Sequence, residues 1–162
     1  MAKVAVVVGS DSDLGIMNES CMALEELGIE YELKVASAHR TPERVRKYIE
    51  GIEARGIEVV IAGAGWAAHL PGVIAAYTTL PVIGVPIDSS PLKGIDSLLS
   101  IVQMPPGIPV AAVAIGKGGA RNAAILSAAI LGLKYPDIAD SLKQFRARLR
   151  KKVEDAASKV EK

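Results

Sequence analysis

The chain has two histidines, and both stand among residues that bind anions or let backbone approach a ligand. His39 sits in Ser37-Ala38-His39-Arg40-Thr41-Pro42, where an imidazole and a guanidinium lie just ahead of a strong helix start. Histidine's ordinary pKa, about 6.5, lets it give and take a proton near neutrality, and arginine supplies the forked donor that phosphate prefers. A lone loop histidine reads as a surface bystander, but this one is flanked by anion-binding groups. His69 follows the small-residue run Ala62-Gly63-Ala64-Gly65-Trp66-Ala67-Ala68 and precedes Leu70-Pro71-Gly72. A third loop, Gly9-Ser10-Asp11-Ser12-Asp13, crowds hydroxyls and carboxylates before a helix. Serine hydroxyls and free backbone amides there make a phosphate seat, and a carboxylate beside it suits ribose hydroxyls. The same residues also read as an ordinary helix-capping cluster.

Other chemistries fit less well. The string Gly63-Ala64-Gly65-Trp66-Ala67-Ala68 satisfies Gly-x-Gly-x-x-Ala, a dinucleotide-binding pattern, but it follows the third apolar strand rather than the first and runs into His-Leu-Pro. There is no Gly-x-x-x-x-Gly-Lys-Ser/Thr phosphate loop and no Gly-x-Ser-x-Gly nucleophile elbow. Both histidines with Asp88 would be needed to hold zinc, and their spacing does not support it, so no metal is expected.

Apolar runs and helical stretches alternate along the chain, the pattern of parallel strands joined by crossover helices. The first strand is Val4 to Val8, followed by a helix to about Leu27 whose Met17, Cys21, Leu24 and Leu27 share one face; Gly28 stops it. The second strand runs from Tyr31 to Ala36. Thr41 as N-cap and Pro42 at the first helical position open a helix to about Gly56. Val59 to Ala62 and Pro81 to Val85 are strands three and four, with a helix between them beginning after Gly65. A shorter helix spans Gly94 to Val102, Val110 to Ala114 is the fifth strand, and the Ala-rich stretch from Ala120 to Leu133 is helical. From Asp137 onward Leu142, Phe145, Leu149, Val153, Ala156 and Val160 recur at three or four residues among many charges, an amphipathic helix whose stripe needs a partner in the chain's own body or in another subunit.

The expected architecture is therefore α/β: a three-layer, flavodoxin-like parallel sheet of about five strands, flanked by helices, with the helix over 137–162 appended to a single domain of residues 1–162. In such a sheet ligands gather at the carboxyl ends of the strands, where all three loops fall.

Composition narrows the classes further. Half the residues are hydrophobic but only 4% are aromatic, so the core is built from Val, Ile, Leu and Ala, as in a sheet buried on both faces. A net charge of +1 provides no global field for nucleic acid or an anionic membrane. The basic excess near the C-terminus lacks interleaved aromatics and reads as a solvated helix face. The single cysteine, Cys21, cannot form an intramolecular disulfide and reads as core packing. No secretory leader is recognisable and no apolar run reaches the roughly 18 residues of a membrane span, which points to a cytoplasmic protein.

From Val4 to Leu133, several strings in fixed order resemble the N5-carboxyaminoimidazole ribonucleotide mutase family, the phosphoribosylaminoimidazole carboxylase catalytic subunits of class I. They are Gly9-Ser10-x-Ser12-Asp13, Ser37-Ala38-His39-Arg40-Thr41-Pro42, Ala62-Gly63-Ala64-Gly65, Ala67-Ala68-His69-Leu70-Pro71-Gly72, Asp96-Ser97-Leu98 and Ser100-Ile101-Val102-Gln103-Met104-Pro105. A related branch, which fixes free carbon dioxide onto aminoimidazole ribonucleotide, carries Lys after the loop histidine and lacks His-Leu-Pro-Gly; Arg40 and His69 to Gly72 look like the mutase branch. One departure is Trp66, where the family pattern has Gly; a glycine there serves either a positive φ angle or space.

The resemblance implies a cofactor-independent isomerase of purine (IMP) biosynthesis. It makes His39 the proton-transferring residue, with Ser10, Ser37 and Arg40 on the phosphate and Asp13 on a ribose hydroxyl. His69 positions the carboxylate or the base, and Ser12, Ala38, Ala64, Gly65, Leu70 and Met104 complete the substrate-binding set. It further implies a homo-octamer supplied by an ATP-dependent carboxyaminoimidazole ribonucleotide synthetase. The rivals are the carbon-dioxide-dependent carboxylase, a non-catalytic nucleotide-binding domain of the same fold, and a structural oligomerisation module.

Overall fold

Valine-rich strands in the middle of the sheet are buried on both faces, and their alternate residues feed two separate cores. The computed structural model describes residues 3–161; Met1, Ala2 and Lys162, at the ends of the expected domain, lie outside them. Five parallel strands, β1 (Val4–Val8), β2 (Tyr31–Val35), β3 (Val59–Ala64), β4 (Val82–Pro86) and β5 (Ala111–Ala112), lie in the order β2-β1-β3-β4-β5. That is the flavodoxin-like order, as expected from the sequence.

Side chains alternate across a strand with period two. Val4, Val6 and Val8 of β1 with Val59 and Ile61 of β3 enter one core. It is closed by α1 (Leu14–Glu26), α5 (Lys117–Leu131) and α6 (Pro136–Val160) through Met17, Leu24, Ala124 and Phe145. Ala5, Val7, Val60 and Ala62 face the other way. There they meet α2 (Pro42–Ile49), α3 (Leu70–Ala75) and α4 (Ile95–Val102) through Val45, Ile49, Leu70, Ile74 and Ile101.

Several boundaries differ from the sequence reading. The helix after Pro42 ends at Ile49 rather than near Gly56, because Gly51 takes φ +75° and only a 3-10 turn, Glu53–Arg55, follows. The third strand continues to Ala64, and the helix after it is a short Leu70–Ala75. That helix is followed by a turn in which Thr78 Oγ1 accepts from the Leu80 amide. The fifth strand keeps only two ladder residues. Val113 N still donates to Gly84 O and Gly116 N to Pro86 O, so the segment stays beside β4 outside a regular ladder.

Thr41 is the N-cap residue of α2 with Pro42 in the first turn, as the sequence predicts. Its side chain makes no cap bond; Oγ1 accepts from the Ser37 amide at 2.9 Å and donates to Ser37 O at 3.2 Å. Thr41 thus ties shut the loop that carries His39 and Arg40. Along α6 the stripe splits: Phe145 is buried, whereas Leu149, Val153 and Val160 are exposed.

Candidate active site

β1 and β3 are neighbours, but the chain leaves β1 toward one face of the sheet and β3 toward the other. Their carboxyl-end loops diverge and leave a crevice. A cleft of about 700 Å³ opens there, lined by all three candidate loops. Ser10, Ser12 and Asp13 enter from the loop after β1; Ser37, Ala38, His39 and Arg40 from the loop after β2; Ala64, Gly65, His69 and Leu70 from the end of β3 and the segment following it. The one sequence-nominated residue outside this lining is Met104. It lies beyond α4 against α3, where a Cβ built on Gly72 would come within 3.0 Å of its sulfur.

The two histidines meet ring to ring. His39 Nε2 and His69 Nδ1 share a short hydrogen bond, with ring centroids 4.7 Å apart and planes at 78°. Such a bond needs one N–H and one bare lone pair, so a single proton lies between the facing nitrogens. Both residues are exposed to the cleft. A ligand in the cleft can therefore reach a pair of rings that is already oriented.

Arg40 is held by three hydrogen bonds, one of them a long contact from Nε to Ser37 Oγ at 3.5 Å. Its Nη2 donates to Gly9 O at 3.1 Å, joining the β1 and β2 loops, and its backbone amide donates to Ser37 Oγ at 3.2 Å. The first loop is a capping box, as the plainer sequence reading had it: Ser10 Oγ accepts from the Ser12 amide at 3.4 Å, and the Ser10 amide donates to Asp13 Oδ2 at 3.1 Å. Asp13 is buried, and burial pushes its carboxyl up from the ordinary value; amide donors from Ser10 and Gly9 and the Arg40 charge pull the other way. The capping box fixes Asp13 at the cleft floor with Oδ2 committed to the backbone. Among the described residues no three His, Cys, Asp or Glu side chains gather as a metal-binding group.

Sequence reasoning missed Ser89, which lines the cleft from the loop after β4. A Cβ built on Gly65 would lie 1.8 Å from Ser89 Oγ, so that glycine makes room for the serine. The signal was positional: Ser89 follows a strand whose carboxyl end borders the crevice. Trp66 also lines the cleft and takes φ +54°, so the conformation at this position is one that glycine adopts freely.

A parallel sheet with a polar cleft at its topological switch point, lined by an arginine, serines and a histidine pair, defines an α/β protein whose candidate ligand site lies at the carboxyl ends of its strands. The AIR carboxylase family profile matches residues 3–152. The chain is 55% identical over 161 residues to the N5-carboxyaminoimidazole ribonucleotide mutase of Thermotoga maritima, covering 99% of this chain and 93% of that one. It is 61% identical over 146 residues to the mutase of the same name from Pseudomonas aeruginosa, covering 90% of each. A crystal structure of Treponema denticola PurE superposes with TM-score 0.90 at 32% identity over 100% of both chains. The chain belongs to the AIR carboxylase family.

Proposed function

We propose that the protein is an isomerase of purine biosynthesis, moving the carboxyl group of N5-carboxyaminoimidazole ribonucleotide from the exocyclic nitrogen to ring carbon C4. The observation that carries the reading is the meeting of the chain's two histidines, 30 residues apart in sequence, inside a cleft that also holds Arg40, Ser10 and Ser37. A sugar phosphate and a proton carrier are thereby served in one place.

In this mechanism protonated His39 gives its proton to the amine nitrogen as the carbamate N–C bond breaks, leaving aminoimidazole ribonucleotide and carbon dioxide together. C4, made electron-rich by the amino group, bonds to the carbon dioxide, and the C4 proton returns to His39. The residue ends as it began, so the cycle consumes no cofactor. Ser10, Ser37 and Arg40 hold the phosphate, Asp13 takes a ribose hydroxyl, and the short side chains of the Ala- and Gly-rich loop leave room for the released gas beside the ring. His69 orients His39 through the shared hydrogen bond.

The outward face of α4 (Ile95, Leu99 and Val102), with Leu92 before it, and the distal stripe of α6 are apolar and exposed, which supports assembly into the homo-octamer that the resemblance implies. Among the described residues no helix is long and apolar enough to cross a membrane. The cytoplasm and an upstream ATP-dependent synthetase complete the reading.

The test is to supply the carboxyamino substrate and follow the C4-carboxylated product with and without bicarbonate. Conversion that ignores bicarbonate is expected. Conversion only from aminoimidazole ribonucleotide plus bicarbonate would assign the carboxylase reaction instead.

A further inference from the structure

The cleft wall is built almost wholly from short or polar side chains, and only two of its residues are large and apolar. One, Leu70, is 2% exposed and gives its surface to the core. The other, Trp66, is 60% exposed. Its position is costly: Ala68 N donates to Gly65 O, closing a turn whose second residue, Trp66, has φ +54° while its third does not, a pattern that favours glycine at that second place. A bulky side chain in the left-handed region is strained, and an indole so exposed recovers little by packing within the chain. The compensation is sought in whatever fills the cleft.

We propose that Trp66 is a substrate-contacting residue, its indole forming the flat apolar wall against which the imidazole ring of the ribonucleotide stacks, and that it selects for ligands carrying that ring. This rests on the ribonucleotide reading above. The remaining wall provides hydrogen bonds and charge for phosphate, ribose and carboxylate, but no other broad exposed apolar face for a planar heterocycle. Stacking of a base on an aromatic side chain is sensitive to truncation and tolerant of a change in aromatic ring.

Trp66 is the only tryptophan in the chain, so its emission reports its own surroundings. Titration with aminoimidazole ribonucleotide is expected to quench or shift that emission. Ribose 5-phosphate, which has the phosphate and sugar but no ring, is expected to bind by calorimetry and leave the emission unchanged. Trp66→Gly should raise KM about tenfold, a larger change than the fall in kcat, and Trp66→Phe should recover most of the loss. Because the backbone there suits glycine and the indole buries little, Trp66→Gly should melt within a few degrees of the parent, which separates lost stacking from lost folding. Ribonucleotide binding without an emission change, together with a parental KM in Trp66→Gly, would overturn the proposal and leave the isomerase reading standing. A change of oligomeric state in Trp66→Gly with KM unmoved would overturn it in favour of a contact between copies. Absence of any ribonucleotide binding by calorimetry, in parent and variant alike, would remove the isomerase reading and this proposal together.

Discussion

The contact between His39 and His69 makes a quantitative demand on a double-mutant cycle. If His39 carries the proton and His69 acts only by holding it, His39→Asn costs what general acid–base catalysis supplies, about 100- to 10,000-fold in kcat. His69→Asn costs what one hydrogen bond to a charged ring is worth, roughly 1.5–3 kcal/mol in a buried setting. Both rings face an open cleft where water competes, so the lower end applies and the expected loss is about tenfold. Independent roles would multiply, making the double variant about ten times slower than His39→Asn alone. A single relay would not: once His39 is gone, the orienting bond has nothing to orient, and the double variant should match His39→Asn within about twofold. The coupling is then about 1.4 kcal/mol. The assay is the initial rate of C4-carboxylated product at saturating substrate, with ribonucleotide affinity measured alongside to show that the site still binds. Multiplicative losses would assign His69 a separate chemical task, and near-parental turnover of His39→Asn would remove His39 from the chemistry.

Three further outcomes follow from the same geometry. Arg40→Lys keeps the charge but loses the fork that bridges Gly9 O and the Ser37 side, so KM should rise about tenfold with a smaller change in kcat; an unchanged KM would place the phosphate elsewhere. Gly65→Ala puts a methyl on Ser89 Oγ and leaves contacts of 3.2 Å to Ser89 Cβ and 3.3 Å to Ile87 O even after the hydroxyl rotates, so the melting temperature should fall by a few degrees and Ser89→Ala should restore part of it. At the amino ends of the strands, away from the cleft, burial raises the pKa of Glu58, but donors from Tyr135, Lys134 and Lys3 outweigh it and hold the carboxyl at about 2 against an ordinary 4.5. A depressed carboxylate stabilises the fold above the unfolded-state value, and that contribution fades as pH falls from 4.5 toward 2. Discounted for partial exposure it is about 1 kcal/mol, so Glu58→Gln should lower the melting temperature by about 3 °C at pH 7 and erase most of that difference near pH 2.

Strand order, the division into two cores and the convergence of three loops were legible because each rests on a strong local signal. Five apolar runs separated by helical stretches admit few parallel topologies, and Val4 to Val8 can be buried on both sides only in the sheet's interior. Boundaries were less legible where one glycine or hydroxyl decides. Gly51 falls within an amphipathic pattern and still halts the helix by taking a positive φ, and Thr41 stands at the N-cap yet spends its hydroxyl on Ser37 instead of on a helix amide. Both are decisions between two satisfied hydrogen-bonding arrangements, and spacing does not distinguish them.

The site divides in the same manner. Residues at the carboxyl ends of β1, β2 and β3 could be read from type and position together, because hydroxyl, guanidinium and imidazole groups are uncommon companions for an apolar strand. Ser89 could not, since one serine after a strand carries no chemical signature; what marks it is the missing methyl on Gly65, 24 positions earlier, and only a fold brings the two together. Met104 shows the converse. It was nominated by belonging to a motif rather than by any property of its own, and its sulfur lies against Gly72, behind the helix that His69 opens. A methionine packed against α3 supports the helix that borders the cleft, so its truncation should lower the melting temperature by more than it changes substrate affinity.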